Sequence, residues 1–120
     1  MASPYQYPWV GFLKEPIQGV DSTPLALYTA PCTTLVDVIR VCNTTTVDIY
    51  VNFYLLSVRN DVSIPTFLEN NFLVRRFASA IILAGYPETM QTGDILYGYS
   101  DFSGNLFDCN ISIRQLLEEA

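Results

Sequence analysis

Two strongly β-forming runs separated by a short polar turn constrain this chain more than any other feature. Leu25-Ala26-Leu27-Tyr28-Thr29-Ala30 closes on Pro31, and residues 34–42 form a further apolar run. Asn43-Thr44-Thr45-Thr46 follows, and then a run over 47–58 that alternates cleanly. Asn and Thr bond locally to backbone and make turns. Strands joined this closely pair antiparallel, and several such pairs close into a small sandwich or barrel. That architecture makes the chain look like a packing module rather than an enzyme.

The run over 47–56 has a period of two. Val47, Ile49, Val51, Phe53 and Leu55 share one face, which is expected to meet the core. Asp48, Tyr50, Asn52, Tyr54 and Leu56 share the other. Tyr is enriched at protein interfaces, so this second face reads as an interface or as sheet covered by a loop. Over 34–42 the alternation is imperfect. Leu35, Ile39 and Val41 share a face with Asp37, whereas Val36, Val38 and Cys42 share one with Arg40. A bulge, or apolar cover on both faces, explains such a pattern.

Residues 1–24 read as an extended N-terminal arm, and 25–120 as the β-sandwich domain. Prolines at 4, 8, 16 and 24 exclude a regular helix or a central strand from the arm. Tyr5, Tyr7, Trp9 and Phe12 are interleaved among them, and aromatics of this kind seldom belong to a disordered tail. The arm is expected to pack on its own domain, to reach a neighbour, or to offer a stacking platform for a ligand. Residues 59–71 read as a loop-rich stretch with a short helical turn around 65–69. Residues 72–84 form a strand region broken near Arg75-Arg76. Either arginine is a surface residue beside an edge, or one of them pairs with Asp37 or with an acid on a neighbour. Residues 85–93 are a connection and 94–99 a strand, while 101–105 are a turn. Residues 106–113 form the last strand, with Phe107, Cys109, Ile111 and Ile113 inward. The end of the chain, 115–120, reads as a helical scrap or a loose acidic tail. Roughly seven strands in all suit an all-β, single antiparallel sandwich or jelly roll.

Chemistry is hard to find in this chain. It has no histidine, which removes the usual general base and the usual metal ligand. Lys14 is the one lysine and sits beside Glu15 in the arm. No glycine-rich phosphate loop is present. Asp94, Asp101 and Asp108 recur every seven residues but fall at strand ends and turns, so they read as turn formers. Cys32, Cys42 and Cys109 have no close spacing, which argues against a disulfide framework or a zinc site. Cys42 and Cys109 read as small core residues, and synthesis in a reducing cytoplasm is favoured. Asn43-Thr44-Thr45 and Asn110-Ile111-Ser112 fit the glycosylation sequon. With no secretory signal visible, both read as coincidences. Tyr50 and Tyr54 with Asp48 and Asn52, or Tyr97 and Tyr99 with Asp101, would suit a saccharide, although any half-covered aromatic sheet face shows the same pattern.

The charge balance narrows the partners. The net charge is −6, which opposes nucleic-acid binding and attachment to anionic lipid. No apolar run is long enough for a transmembrane helix. Only 15% of residues are charged, against roughly 25% in an ordinary domain. Part of the surface is therefore expected to be covered by other subunits.

At Tyr28-Thr29-Ala30-Pro31, Thr33-Thr34 and Ile39-Arg40-Val41-Cys42-Asn43-Thr44-Thr45 the chain resembles small structural proteins of tailed bacteriophages. Gly93-Asp94-Ile95-Leu96 and the strand over 106–113 extend that resemblance over about residues 25–114. Cys32 departs from the glycine common in these proteins, and 53–77 is longer and more aromatic. The resemblance implies a β-sandwich virion protein, made in the host bacterial cytoplasm, that coats heads or serves in necks and tails. It implies no catalytic residue, no metal and no cofactor. Its partners would be a major capsid protein or neck and tail proteins, with copies of itself. The expected role is capsid decoration or cementing, then a neck or tail ring or adaptor, then a receptor- or glycan-binding module of a tail fibre. Tyr5, Tyr7, Trp9, Phe12, Tyr50, Tyr54, Arg75 and Arg76 are the interface candidates.

Overall fold

The computed structural model describes residues 9–59, 62–83 and 87–116, with side chains over 17–57, 62–83 and 87–115. Among the described residues there is no helix, and nine strands form two antiparallel sheets. In chain order these are β1 (Trp9–Val20), β2 (Leu25–Thr29), β3 (Thr34–Asn43), β4 (Ile49–Arg59), β5 (Val62–Val74), β6 (Ser79–Ile82), β7 (Glu88–Met90), β8 (Ile95–Ser100) and β9 (Phe107–Leu116). The first sheet runs β1-β9-β3-β6, with β7 sharing the β6 side of β3, and the second runs β2-β8-β4-β5. Most connections cross from one sheet to the other, and only β4–β5 is a local hairpin. This order is that of a jelly roll, in which a folded antiparallel ribbon wraps into two facing sheets.

The core lies between the sheets. Ile49, Val51, Phe53 and Leu55 of β4 are buried, as their period of two predicts. They face Phe107, Cys109, Ile111 and Ile113 of β9, which are buried too. Phe53 and Phe107 meet edge to face at 5.8 Å, the arrangement that ring quadrupoles favour. In β3 the register shifts between Val36 and Val38. Val36 is buried before that bulge and Ile39 and Val41 after it. The extra residue resets the phase, which is why the alternation in sequence is imperfect.

Several expectations need correction. Of the stretch 59–71, expected as a loop with a helical turn near 65–69, the described residues 59 and 62–71 are strand. They complete a long hairpin, with Leu56 opposite Pro65 and Ser57 opposite Ile64. Strand β5 lies at the edge of its sheet, where a proline costs no ladder bond. The register shifts on both sides of the Phe53–Glu69 pair, which accommodates Asn70 and Asn71. Asn71 has a φ of 55° and its backbone N–H donates to Asn52 Oδ1 (2.8 Å). The connection over 85–93 contains β7, three residues that pair with β3. Val47 precedes β4 rather than joining it and is half exposed. Cys42 lies on the outer side of the first sheet and is exposed, while Cys109 is buried. Burial raises the Cys109 thiol from 9.0 to about 12, with a smaller push from Asp108.

The stretch expected as an arm is, over Trp9–Val20, the edge strand β1, paired along β9. Pro16 again occupies an edge. At the other terminus, Gln115 and Leu116 belong to β9.

Candidate interface

The two outer surfaces of the sandwich differ in chemistry. On the first sheet, Arg114 grips Asp37 through two hydrogen bonds of 2.8 Å, with Arg40 and Asn110 exposed beside Ser112. The Asp37 carboxylate holds the Arg114 guanidinium above its usual range. On the second sheet, Tyr50, Tyr54 and Leu56 of β4 point away from the core, as do Ile95, Tyr97 and Tyr99 of β8. Strand β5 adds Phe67 beside Tyr54 and Leu73 beside Tyr50. None of these side chains carries a charge.

Tyr54 is the centre of this face. It stacks on Tyr97 at 5.0 Å with 11° between the planes. Phe67 lies against it at 5.4 Å, and Tyr99 meets it edge-on at 6.2 Å. The register puts these rings together, since Tyr54 is opposite Phe67 on one side and Tyr97 on the other. Desolvation raises the Tyr54 hydroxyl above its usual range, helped by the neighbouring Tyr97 and Tyr99. Tyr54 therefore stays uncharged through the physiological range. Tyr50, Phe67 and Leu73 remain 43, 48 and 39% exposed.

The hairpin projects beyond the sheet. Pairing of β4 with β8 ends at Leu56–Ile95, yet β4 and β5 continue together to Arg59–Val62. Val62 and Ile64, 57 and 47% exposed, alternate with Phe67 along β5 and so point from the other side of that ribbon, the side of Leu55. A two-stranded ribbon is marginal in water on its own.

The polar groups that would serve a saccharide are engaged locally. Asn52 is buried, and its Oδ1 accepts from Asn71. Asp48 accepts from the backbone N–H of Arg76 (2.9 Å). Asp94 accepts from Gln91, Asp101 from Asn105 and Asp108 from Gly19, so each braces a turn or an edge. Among the described residues no group of three or more His, Cys, Asp and Glu gathers as metal ligands.

The candidate residues thus separate. Tyr50 and Tyr54 share the aromatic face. Arg75 and Arg76 sit apart in the turn between β5 and β6, where with Thr46, Val47, Asp48 and Ala78 they line a shallow pocket. Neither takes Asp37, whose carboxylate belongs to Arg114. Trp9 and Phe12 fall on β1, opposite Leu116 and Arg114, and their side chains lie outside the described residues. Tyr5 and Tyr7 lie wholly outside them.

Two features escaped the reading of residues alone. Phe67 was assigned to a loop, so its place beside Tyr54 could not be seen. Phe77 sits in the β5–β6 turn with a φ of 54° and a ring 68% exposed. An aromatic in left-handed backbone is strained. That turn is fixed by the buried Asn43, whose Nδ2 donates to the carbonyls of Val47 (2.8 Å) and Val74 (3.0 Å). Its Oδ1 accepts from the Thr45 N–H (2.8 Å) and hydroxyl (2.7 Å).

No family model matches the chain, and no curated protein matches it. Among solved structures, chains from infectious bursal disease virus are similar to it. A Gt-strain chain aligns at 9% identity with a TM-score of 0.49, over 92% of this chain and 32% of that one. A Gx-strain chain aligns at 11% identity with the same TM-score, over 94% and 33%. This chain spans about a third of their length. Likeness this slight leaves fold and function to be argued from the chain's own residues.

Proposed function

We propose that this chain is a non-enzymatic structural subunit of a tailed-bacteriophage virion, binding neighbouring subunits as a decoration or cement protein. The observation that carries this reading is the uncharged aromatic outer face of the second sheet, centred on Tyr54. Monomers rarely leave apolar patches beyond about 300–600 Å² in water, and larger ones mark interaction surfaces. Tyr is among the residues enriched at protein interfaces. The jelly-roll topology adds fold-level support, since capsid domains use it, though lectins and cupins do too. The motif resemblance over 25–114 supplies the phage context. Binding would be adhesive: rings and aliphatic side chains leave water against a neighbour, and no covalent bond forms.

Quantitative mass spectrometry of purified particles tests this. Hundreds of copies per particle are expected of a shell-coating protein. About six or twelve would move the chain to a neck or tail ring, the symmetric assemblies of few subunits. About three would favour a fibre tip and a glycan ligand. Absence from the particle would overturn the structural role.

A further inference from the structure

The aromatic face can be assigned an occupant. We propose that it takes a second copy of this chain, the two sandwiches packing second sheet to second sheet about a two-fold axis. This rests on the reading above that the face is an interface.

Area is the first argument. Tyr50, Phe67 and Leu73 are between 39 and 48% exposed. With the outer edges of Tyr54, Tyr97 and Tyr99 they present on the order of 400 Å² of apolar surface, taking ~150–250 Å² per aromatic side chain. A standard interface buries about 800 Å² per partner. The apolar patch supplies the core of such an interface, about half its area, and the polar margins around it supply the rim.

Charge is the second. Each copy carries a net −6, so copies repel one another on average. The outward side chains of β4 and β8, with Phe67 and Leu73, are all uncharged. Two like-charged copies can therefore meet there without paired repulsion. A strongly basic partner would find no carboxylate to bind at its centre.

Shape is the third. A sheet face can serve both partners of a two-fold contact, because the same patch meets itself. Two such faces pack aligned at about 10 Å with side chains interleaved. The projecting end of the β4–β5 hairpin then lies along the neighbouring copy, which steadies a ribbon that has no third strand.

Sedimentation velocity on the full chain tests this, over about 1–100 μM, the range in which a micromolar dimer dissociates. The expected species has twice the 13.5 kDa monomer mass. Added salt should leave it intact or strengthen it, since screening weakens the −6 against −6 repulsion. Tyr54→Asp and Phe67→Asp should return monomer. Each change counts twice across the two-fold, so the dissociation constant should rise about a thousandfold. Tyr50→Arg, at a 43% exposed site, serves as a second variant should the others unfold. Dimers that survive all three changes would place the contact elsewhere and overturn the proposal. A monomeric wild type whose variants still fail to enter particles would overturn the second copy and leave the virion role standing. A monomeric wild type whose variants enter normally would overturn both.

Discussion

Gly98→Ala should destabilise the protein, against the usual direction for a strand. Ala is ordinarily better than Gly in a strand by about 0.5–1 kcal/mol. Gly98 lies in the middle of β8, facing the core between Leu27 of β2 and Phe53 of β4. A methyl there would stand 2.9 Å from Leu27 Cδ1 and 2.9 and 3.1 Å from Phe53 Cε1 and Cδ1. Carbon atoms prefer about 3.5–4.0 Å. The leucine methyl can rotate away. The Phe53 ring is fully buried and held edge-on by Phe107, so it must push its neighbours. Overpacking of this kind costs about 1–3 kcal/mol, and the net loss should be about 1–2 kcal/mol after the strand gain is subtracted. Urea titration at one fixed protein concentration reads this directly. With a slope of about 1–1.5 kcal/mol/M, the midpoint should fall by about 1 M. Phe53→Leu should partly rescue it, so that the double variant loses about 1 kcal/mol less than the sum of the singles. A midpoint that stays or rises in Gly98→Ala, or strict additivity with Phe53→Leu, would refute the Gly98–Phe53 register.

Other outcomes follow from the same geometry. Asn43→Ala strips four hydrogen bonds, among them the buried one to the Val74 carbonyl, so it should cost about 2–4 kcal/mol in thermal or urea unfolding. Phe77→Gly relieves left-handed backbone and should raise the melting temperature by a few degrees, about 1 kcal/mol; a fall would show that the exposed ring packs on something. Maleimide should label Cys42 quickly and Cys109 only on unfolding, as read by mass mapping. Cys109 also sets a pH dependence. Its thiol keeps its proton to about 12 when folded and loses it near 9.0 when unfolded. Its contribution is complete below pH 9 and is lost as the pH rises toward 12, at up to about 1.4 kcal/mol per unit. Cys109→Ala should flatten that decline.

Period-two burial was readable where both neighbours of a strand are strands. Strand β4 declared its core face from Ile49 to Leu55, and β9 did so from Phe107 to Ile113. Even the broken alternation around Asp37 pointed to a bulge. Edge elements were harder. Strand β5 carries Pro65, Asn70 and Asn71, which read as breakers, yet an edge tolerates proline and bulges absorb asparagine. Three-residue β7 is held by β3 rather than by its own sequence. Cys42 looked like core because apolar neighbours surround it in the chain, but the bulge in β3 turns it outward. The Asp37–Arg114 pair joins residues 77 apart, and local pattern carries no trace of such contacts. For the interface, Tyr50 and Tyr54 were legible as an unusually aromatic outer face. Their company was not. Tyr97 and Tyr99 arrive through the β4–β8 register, and Phe67 through a strand that looked like a loop.

Hydroxyl-radical footprinting of purified particles tests the central claim most directly, whatever covers the face. Tyr50 and Phe67 are 43 and 48% exposed in the single chain and would react readily there. The account predicts that in the particle both react far more slowly than that exposure allows, together with Tyr54, Tyr97 and Tyr99. Reaction in proportion to single-chain exposure would mean that the aromatic face remains in water, and the interface would have to be sought elsewhere on the protein.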